Sequence, residues 1–485
     1  MGLESTAYKG LAWTTASTIV RSVVSLLQVS ILTRFIDKAD FGIVAIASLF
    51  IGFSSLFLDL GISSGILHRN DTTPKQYSSL FWLNIMMGVL LSGILCIISP
   101  IVARAYDQPE LVKVLTLLSL NMLFSSIGIQ HKTIQQKKMR FRTISIIEIL
   151  SSTLTLILAI ILAVKGFGVY SLVYSTMFNM AFSNITFLVV GLMKDSNISF
   201  HFRFSETLPY LKIGIFSIGS SIADYFSTEL DTIIISATLG ESTLGVYSLC
   251  KKLVSSLFSM LNTVLGKVIT PVFAKIQNDL QQVKNVFFAT TRALSIACSY
   301  AASLVCIFSY GILYYLYGDQ YVDAYIVLCL LSLFMGKNAS GNPVGGMQIA
   351  LGRTDLGFYW TLCRIASTAI AIGLGSLISL EAMLVFQFSM TFIMAPISWL
   401  ILTKPMIHCG FWENFNMTFL PFVVATLSGV PFFFLFRNVS SIPMILLGFV
   451  SYSVVYLFLI RFFFRDSYAV RTMNKLIGKF SPVKF

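Results

Sequence analysis

Charge is what this sequence has least of. Asp, Glu, Lys and Arg make up 11% of the 485 residues, less than half of the roughly one-quarter typical of a soluble chain. Together with 56% hydrophobic residues and a mean hydropathy of +0.82, this scarcity excludes a string of water-soluble domains and most soluble-enzyme classes. Histidine is rarer still, with four residues. His68, His131, His201 and His408 are scattered over the connecting loops, with no metal-ligand spacing. There is no Gly-x-x-x-x-Gly-Lys-Ser/Thr loop for ATP hydrolysis, and no Ser/His/Asp constellation can be argued. The seven cysteines (Cys96, Cys250, Cys298, Cys306, Cys329, Cys363 and Cys409) are odd in number and lie mostly within apolar segments, so no disulfide is expected. The chain reads as a non-enzyme without cofactor or metal.

What the sequence does contain is apolar length. A spanning helix needs about 20 mostly apolar residues. Charged clusters and Gly/Pro breaks mark off fourteen such segments: 11–33, 41–66, 79–103, 112–130, 144–164, 167–193, 213–239, 244–272, 287–316, 324–350, 357–379, 381–402, 417–436 and 442–464. The expected fold is an all-α polytopic membrane protein, and no connection is long enough for an extramembrane domain. The first segment is too long for a signal-peptide core and no small-residue cleavage site follows it, so it is expected to remain as span 1.

Orientation follows from the positive-inside rule. With the N-terminus in the cytoplasm, only Arg34, Lys38, Arg104, Lys113, Lys165 and Arg437 of the 34 Lys and Arg residues fall in external loops. Both termini are then cytoplasmic, and Trp13, Trp82, Trp360, Trp399 and Trp412 lie near cytoplasmic span ends, as interfacial anchors do. The net charge of +13 is accordingly topological and does not point to nucleic acid.

A repeat divides the chain. Asp107-Gln108 followed by Leu117-Leu118-Ser119-Leu120 recurs as Asp319-Gln320 followed by Leu330-Leu331-Ser332-Leu333, and Phe41-Gly42 matches Leu244-Gly245. Six spans separate the copies, so the halves run in the same direction. The expected domains are a six-helix lobe over 1–200, a second over 201–403, and two appended helices with a basic tail over 404–485. Parallel six-span halves are one plan of secondary transporters, with the substrate site at their interface.

An ionisable side chain inside a span is a functional candidate by default. Span 1 carries Arg21 and Gln28 seven residues apart on one helix face, with Ser17 one turn before. Span 7 carries Asp224 and Asp231 at the same spacing, with Glu229 on another face. At the 203-residue offset between Gly42 and Gly245, Arg21 superposes on Asp224, Gln28 on Asp231 and Ser17 on Ser220. Two readings stand open, and they are compatible. Spans 1 and 7 face a central aqueous cavity where Arg21 meets an anionic substrate group, or an Arg21–Asp224 pair locks the halves together. Lys251 and Lys252 on span 8 are further candidates, one lining the cavity and the other snorkelling. Asp59, Glu148, Lys267, Arg292 and Arg364 lie nearer the cytoplasmic ends, where snorkelling or headgroup contact is the expected role.

Gly341-Asn342-Pro343-Val344-Gly345-Gly346 should break span 10, with Pro343 and Gly345 acting as a gate or as a plain kink. Basic clusters at Lys132, Lys137, Lys138, Arg140 and Arg142 and at Arg471, Lys475 and Lys479 suit topology anchoring and contact with anionic lipid. Capture of a lipid-linked diphosphate is a secondary role for them.

These residues carry a resemblance. The block Gln136-Lys137-Lys138-Met139-Arg140-Phe141-Arg142, a span, and then Gly166-Phe167-Gly168-Val169-Tyr170-Ser171-Leu172-Val173 looks like the signature region of bacterial Wzx-like polysaccharide exporters, in the colanic and teichuronic acid exporter branch. Lys9-Gly10-Leu11-Ala12-Trp13, Leu32-Thr33-Arg34, Asp40-Phe41-Gly42, Asp59-Leu60-Gly61-Ile62 and Leu244-Gly245-Val246-Tyr247-Ser248-Leu249 support it. The resemblance implies the multidrug/oligosaccharidyl-lipid/polysaccharide superfamily fold: two six-helix lobes around a cationic central cavity, working by alternating access in the bacterial cytoplasmic membrane. The implied substrate is an undecaprenyl-diphosphate-linked oligosaccharide flipped between leaflets, with membrane lipids, a polysaccharide polymerase and a chain-length regulator as partners. Carried over by position, Arg21 and Lys252 are the cavity cations. Asp224 and Asp231 depart from a mostly basic cavity, which leaves open a coupling ion, H+ or Na+, and the alternative of a cation-coupled multidrug antiporter. A membrane-embedded glycan polymerase is disfavoured because it would need a sizeable external loop.

Overall fold

The computed structural model describes residues 3–69, 71–194 and 198–464. The basic tail cluster at Arg471, Lys475 and Lys479 lies outside these residues, as do the side chains of Ser220 and Lys267. Among the described residues the chain is helical, with no strand. The elements are α1 (Leu3–Leu32), α2 (Lys38–Leu58), α3 (Ile62–His68), α4 (Pro74–Ala105), α5 (Glu110–Lys137), α6 (Phe141–Val164), α7 (Val169–Lys194), α8 (Phe204–Thr238), α9 (Gly240–Ile276) and α10 (Leu280–Ile307). There follow α11 (Ser309–Tyr317), a 3-10 segment (Asp319–Ala324), α12 (Tyr325–Ala339), α13 (Pro343–Ala350), α14 (Thr354–Ser376), α15 (Leu380–Ser398), a π-helical turn (Trp399–Thr403), α16 (Lys404–Ile407), α17 (Phe411–Thr418), α18 (Leu420–Phe436) and α19 (Ile442–Phe463).

Twelve helices among the described residues are long and apolar enough to cross a membrane, or thirteen when α17 and α18, bent by 43°, form one span. The remaining expected segment, 213–239, lies in α8. The helices end where local chemistry stops them. Thr73 and Gln76 cap α4 reciprocally ahead of Pro74, and Asp279 and Ser379 accept the orphan amides of α10 and α15. The break expected in span 10 is present, with α12 ending at Ala339 and α13 starting at Pro343. One boundary differs from expectation. α5 continues to Lys137, seven residues past the expected end at 130, because Lys and Gln are good helix formers and Lys137 Nζ donates to the Ile66 carbonyl at the end of α3 at 2.6 Å. His131, expected in a loop, is therefore a buried helical residue beneath Gly191.

The chain divides into two compact units, residues 1–249 and 250–485. In the first, α4 packs along α5, α5 along α7, and α1 along α6. The α7–α8 connection is pinned to α4: Trp82 Nε1 donates to the Ser199 carbonyl at 3.0 Å, and Glu206 accepts from Ser79 Oγ at 2.7 Å. The Ser79 hydroxyl and then His201 hold the Glu206 carboxyl below the usual range. The two glycines matched by the repeat touch each other's surroundings reciprocally. A Cβ on Gly42 would lie 2.0 Å from the Glu241 carbonyl oxygen, and one on Gly245 would lie 1.9 Å from that of Lys38. The two contacts are equivalent under the 203-residue offset, which carries Lys38 to Glu241 and Gly42 to Gly245 (241 minus 38, 245 minus 42), as a local twofold between the starts of α2 and α9 produces.

In the second unit, α10 is central and packs on α12 and α18. α19 docks onto it through tyrosine hydroxyls: Tyr452 to Ser303 at 2.6 Å, Tyr456 to Ser299 at 2.8 Å and Ser453 to Tyr300 at 2.6 Å. The expectation of no disulfide is corrected here, since Cys306 and Cys329 are bonded. The end of α10 lies beside the start of α12, an adjacency that counting cysteines against loops does not reveal.

Backbone approach at 1.9–2.0 Å from a hypothetical Cβ leaves no room for even a methyl. Gly42→Ala and Gly245→Ala are expected to cost about 1–3 kcal/mol or more, read as a lower thermal midpoint in detergent. Gly93→Ala, with nothing within 4 Å of its Cβ, should leave the midpoint unchanged or raise it.

Candidate functional site

The polar stripe of α1 is turned partly onto its own unit. Ser17 is buried and spends its hydroxyl on the Thr14 carbonyl at 3.0 Å. Gln28 donates from Nε2 to Ser175 Oγ on α7 at 3.3 Å. Between them Arg21 extends towards α6, where its Nη1 meets Glu148 Oε2 at 2.8 Å. Helical side chains lean towards the N-terminus of their helix, which carries the guanidinium from mid-helix towards the basic end of the unit. The carboxylate that Arg21 meets is thus Glu148 and not Asp224, because α1 packs along α6.

Glu148 holds a second cation. Lys132 Nζ on α5 lies 2.7 Å from Oε1 and 5.8 Å above the Phe187 ring. One carboxylate, 12% exposed, is shared by a guanidinium 47% exposed and an ammonium 37% exposed. The trio sums to a single positive charge with open donors on both cations. The lengthened α5 makes this possible, since the expected loop would have taken Lys132 away from α6. Glu148 was legible in principle: it and Asp59 are the only acids within the first six expected spans, and an intramembrane Arg calls for a counterion.

The acids of α8 occupy different environments. Asp231 is buried and accepts from the Tyr247 hydroxyl and from the Thr232 amide at 2.7 Å. Glu229 accepts from Thr232 Oγ1 at 2.9 Å, and Asp224, one heptad before Asp231, is exposed. Asp59 closes α2 and caps α3, accepting from the Ser63 amide at 3.1 Å and its hydroxyl at 2.7 Å.

In the second unit Lys251 is half-buried and Lys252 exposed on α9. Arg292 on α10 directs Nε to Met417 Sδ at 2.9 Å and stacks 5.6 Å from Phe464. Arg364 is half-buried on α14. Pro343 opens α13, and a Cβ on Gly345 would meet open space. The residue missed outright is Lys337 on α12. It is buried, with Nζ 4.1 Å from the Phe419 ring centroid and 5.9 Å from that of Phe422, so that aromatic faces carry its charge. Its position in the middle of an apolar span was the available signal. Among the described residues no group of three His, Cys, Asp or Glu could hold a metal ion.

Residues 31–326 match the family described as polysaccharide biosynthesis protein. The teichuronic acid biosynthesis protein TuaB of Bacillus subtilis is 27% identical over 352 residues, 72% of each chain. The lipopolysaccharide biosynthesis protein WzxC of Escherichia coli is 23% identical over 426 residues, 88% of this chain and 86% of its own. Among solved structures, an inward closed conformation of the lipid II flippase MurJ superposes with a TM-score of 0.75 at 13% identity, covering 93% of this chain and 98% of that one. That last likeness is one of fold. The Wzx-like resemblance seen in the Gln136–Arg142 and Gly166–Val173 blocks is borne out.

Tyr247→Phe removes a donor from a buried carboxylate and is expected to cost about 1–3 kcal/mol, measured as a lower thermal midpoint. Lys337→Met keeps the volume and removes a buried charge, so the midpoint should hold or rise.

Proposed function

This chain belongs to the polysaccharide biosynthesis protein family, and on that premise we propose that it flips an undecaprenyl-diphosphate-linked oligosaccharide from the inner to the outer leaflet of the bacterial cytoplasmic membrane by alternating access. The observation that carries the reading is Arg21, a guanidinium half open to its surroundings in the middle of an apolar helix. A charge there costs about 2.5–3.5 kcal/mol in a spanning helix, and its fork of donors matches phosphate geometry. Relatives whose names refer to teichuronic acid and lipopolysaccharide biosynthesis, matched over most of the chain, support a glycan cargo. The Lys/Arg asymmetry supports cytoplasmic termini.

In this reading Arg21 takes the diphosphate and Gln28 assists. The break at Pro343 and Gly345 serves as the gate. A polysaccharide polymerase and a chain-length regulator act on what is delivered. Asp224, exposed on α8, favours a second reading of the same superfamily: a cation-coupled drug antiporter in which the α8 acids take H+ or Na+.

Export in a strain lacking its own flippase separates the two. Wild type should restore surface polysaccharide, and Arg21→Ala should lower it at least about tenfold, the equivalent of about 1.4 kcal/mol, at unchanged protein level. Dye efflux that fails in Asp224→Asn, with no glycan phenotype, would establish the antiporter instead.

A further inference from the structure

Glu148 sits where an anion bound by Arg21 and Lys132 would sit. Each of its two oxygens holds one cation, at 2.8 Å and 2.7 Å, so a single planar anionic group spans the pair. Only Nη1 of Arg21 and the single ammonium of Lys132 are directed at it. A guanidinium has five N–H donors and an ammonium three, so most of the donor capacity at this spot is not used by Glu148. The exposures also run in one direction. The carboxylate is enclosed at 12%, whereas the cations are open at 47% and 37%. A salt bridge built only to join helices has no need of two cations on one carboxylate, both opening outward.

We propose that Arg21 and Lys132 form a two-cation seat for the phosphate oxygens of the transported lipid, in which Glu148 is the resident anion that phosphate displaces and that reclaims both cations when the cargo leaves. The inference rests on the flippase reading above. A phosphate group brings more negative charge and more acceptor oxygens than a carboxylate and so takes both cations at once. The displaced Glu148 is then an enclosed carboxylate stripped of its partners, which is costly. That cost weakens net binding and favours release, and a transport site has to let go of what it binds. Lys132 thereby leaves the class of lipid-anchoring charges and joins Arg21 in the site.

Titration of inorganic pyrophosphate into the full-length protein in phosphatidylcholine nanodiscs at low ionic strength tests this. Glu148→Gln keeps the shape and removes the competing charge, and it should tighten binding about tenfold, while Lys132→Met should weaken it by about the same factor. A folded Glu148→Gln protein that binds no tighter than wild type overturns the proposal and leaves Glu148 as a structural bridge. Should Glu148→Gln fail to fold, Lys132→Met decides, and unchanged affinity in that variant overturns the proposal equally. Wild-type binding that vanishes when phosphatidylglycerol is included assigns the seat to lipid headgroups and overturns the assignment to cargo. The readout is binding of a soluble anion, so its failure is distinguishable from a failure of glycan export.

Discussion

Hydrocarbon offers no water to an unpaired amide or carbonyl, and each such group left unsatisfied costs several kcal/mol. Almost everything in this structure follows from that constraint. It makes every spanning element a helix, and it also removes the hydrophobic drive that holds soluble helices together, because lipid tails are as apolar as leucine. Association must then come from close backbone approach and from polar contacts between helices. Both devices recur. Gly42 and Gly245 bring the starts of α2 and α9 into backbone contact, Gly128 admits Asn184, and Gly191 seats His131. Ser332 reaches across from α12 to the Ala302 carbonyl of α10 at 3.0 Å, and three Ser–Tyr pairs hold α19 to α10. Interhelical hydrogen bonds in membranes are worth only about 0.6 kcal/mol each on average, which is why they occur in sets.

The same constraint decides how charge is carried. Three solutions coexist among the described residues. Lys337 is enclosed by aromatic rings, whose faces carry its charge without a countercharge, an arrangement with no obvious exchange partner. Arg21 and Lys132 instead share one enclosed carboxylate while remaining open themselves, an arrangement that an incoming anion can enter. Asp231 is a third case, a carboxylate settled by the Tyr247 hydroxyl and the Thr232 amide within its own unit. Its sequence twin in the heptad stripe, Asp224, is exposed. Equal spacing on a helix therefore did not mean equal environment: Asp231 is buried and Asp224 is exposed.

Much of the fold was legible because the signal is long and one-dimensional. All fourteen apolar segments lie on helices, and the break at residues 340–342 falls just before Pro343, where the residues demand it, since proline cannot continue the backbone ladder. The repeat showed itself in the Gly42 and Gly245 match, and the structure adds a physical reason for glycine at both positions: each lies against the other helix's carbonyl. The site was less legible. Arg21 stood out as an isolated charge, but Lys132 was hidden among five basic residues that read as an anchor. Its contact with Glu148 depended on α5 continuing as a helix past residue 130. The Cys306–Cys329 bond was missed for a related reason, because the proximity of two spans is not written in either of them.

By itself the sequence determined that the chain is a bundle of membrane helices, where those helices fall, and which charges are anomalous. These properties follow from local composition acting against a solvent that tolerates little variation. Only the tertiary structure decided which charges meet. Arg21 found Glu148 rather than Asp224 because α1 lies along α6, and helix adjacency is set by many small packing contacts spread over whole faces, none of which is visible in the run of residues that contains the charge.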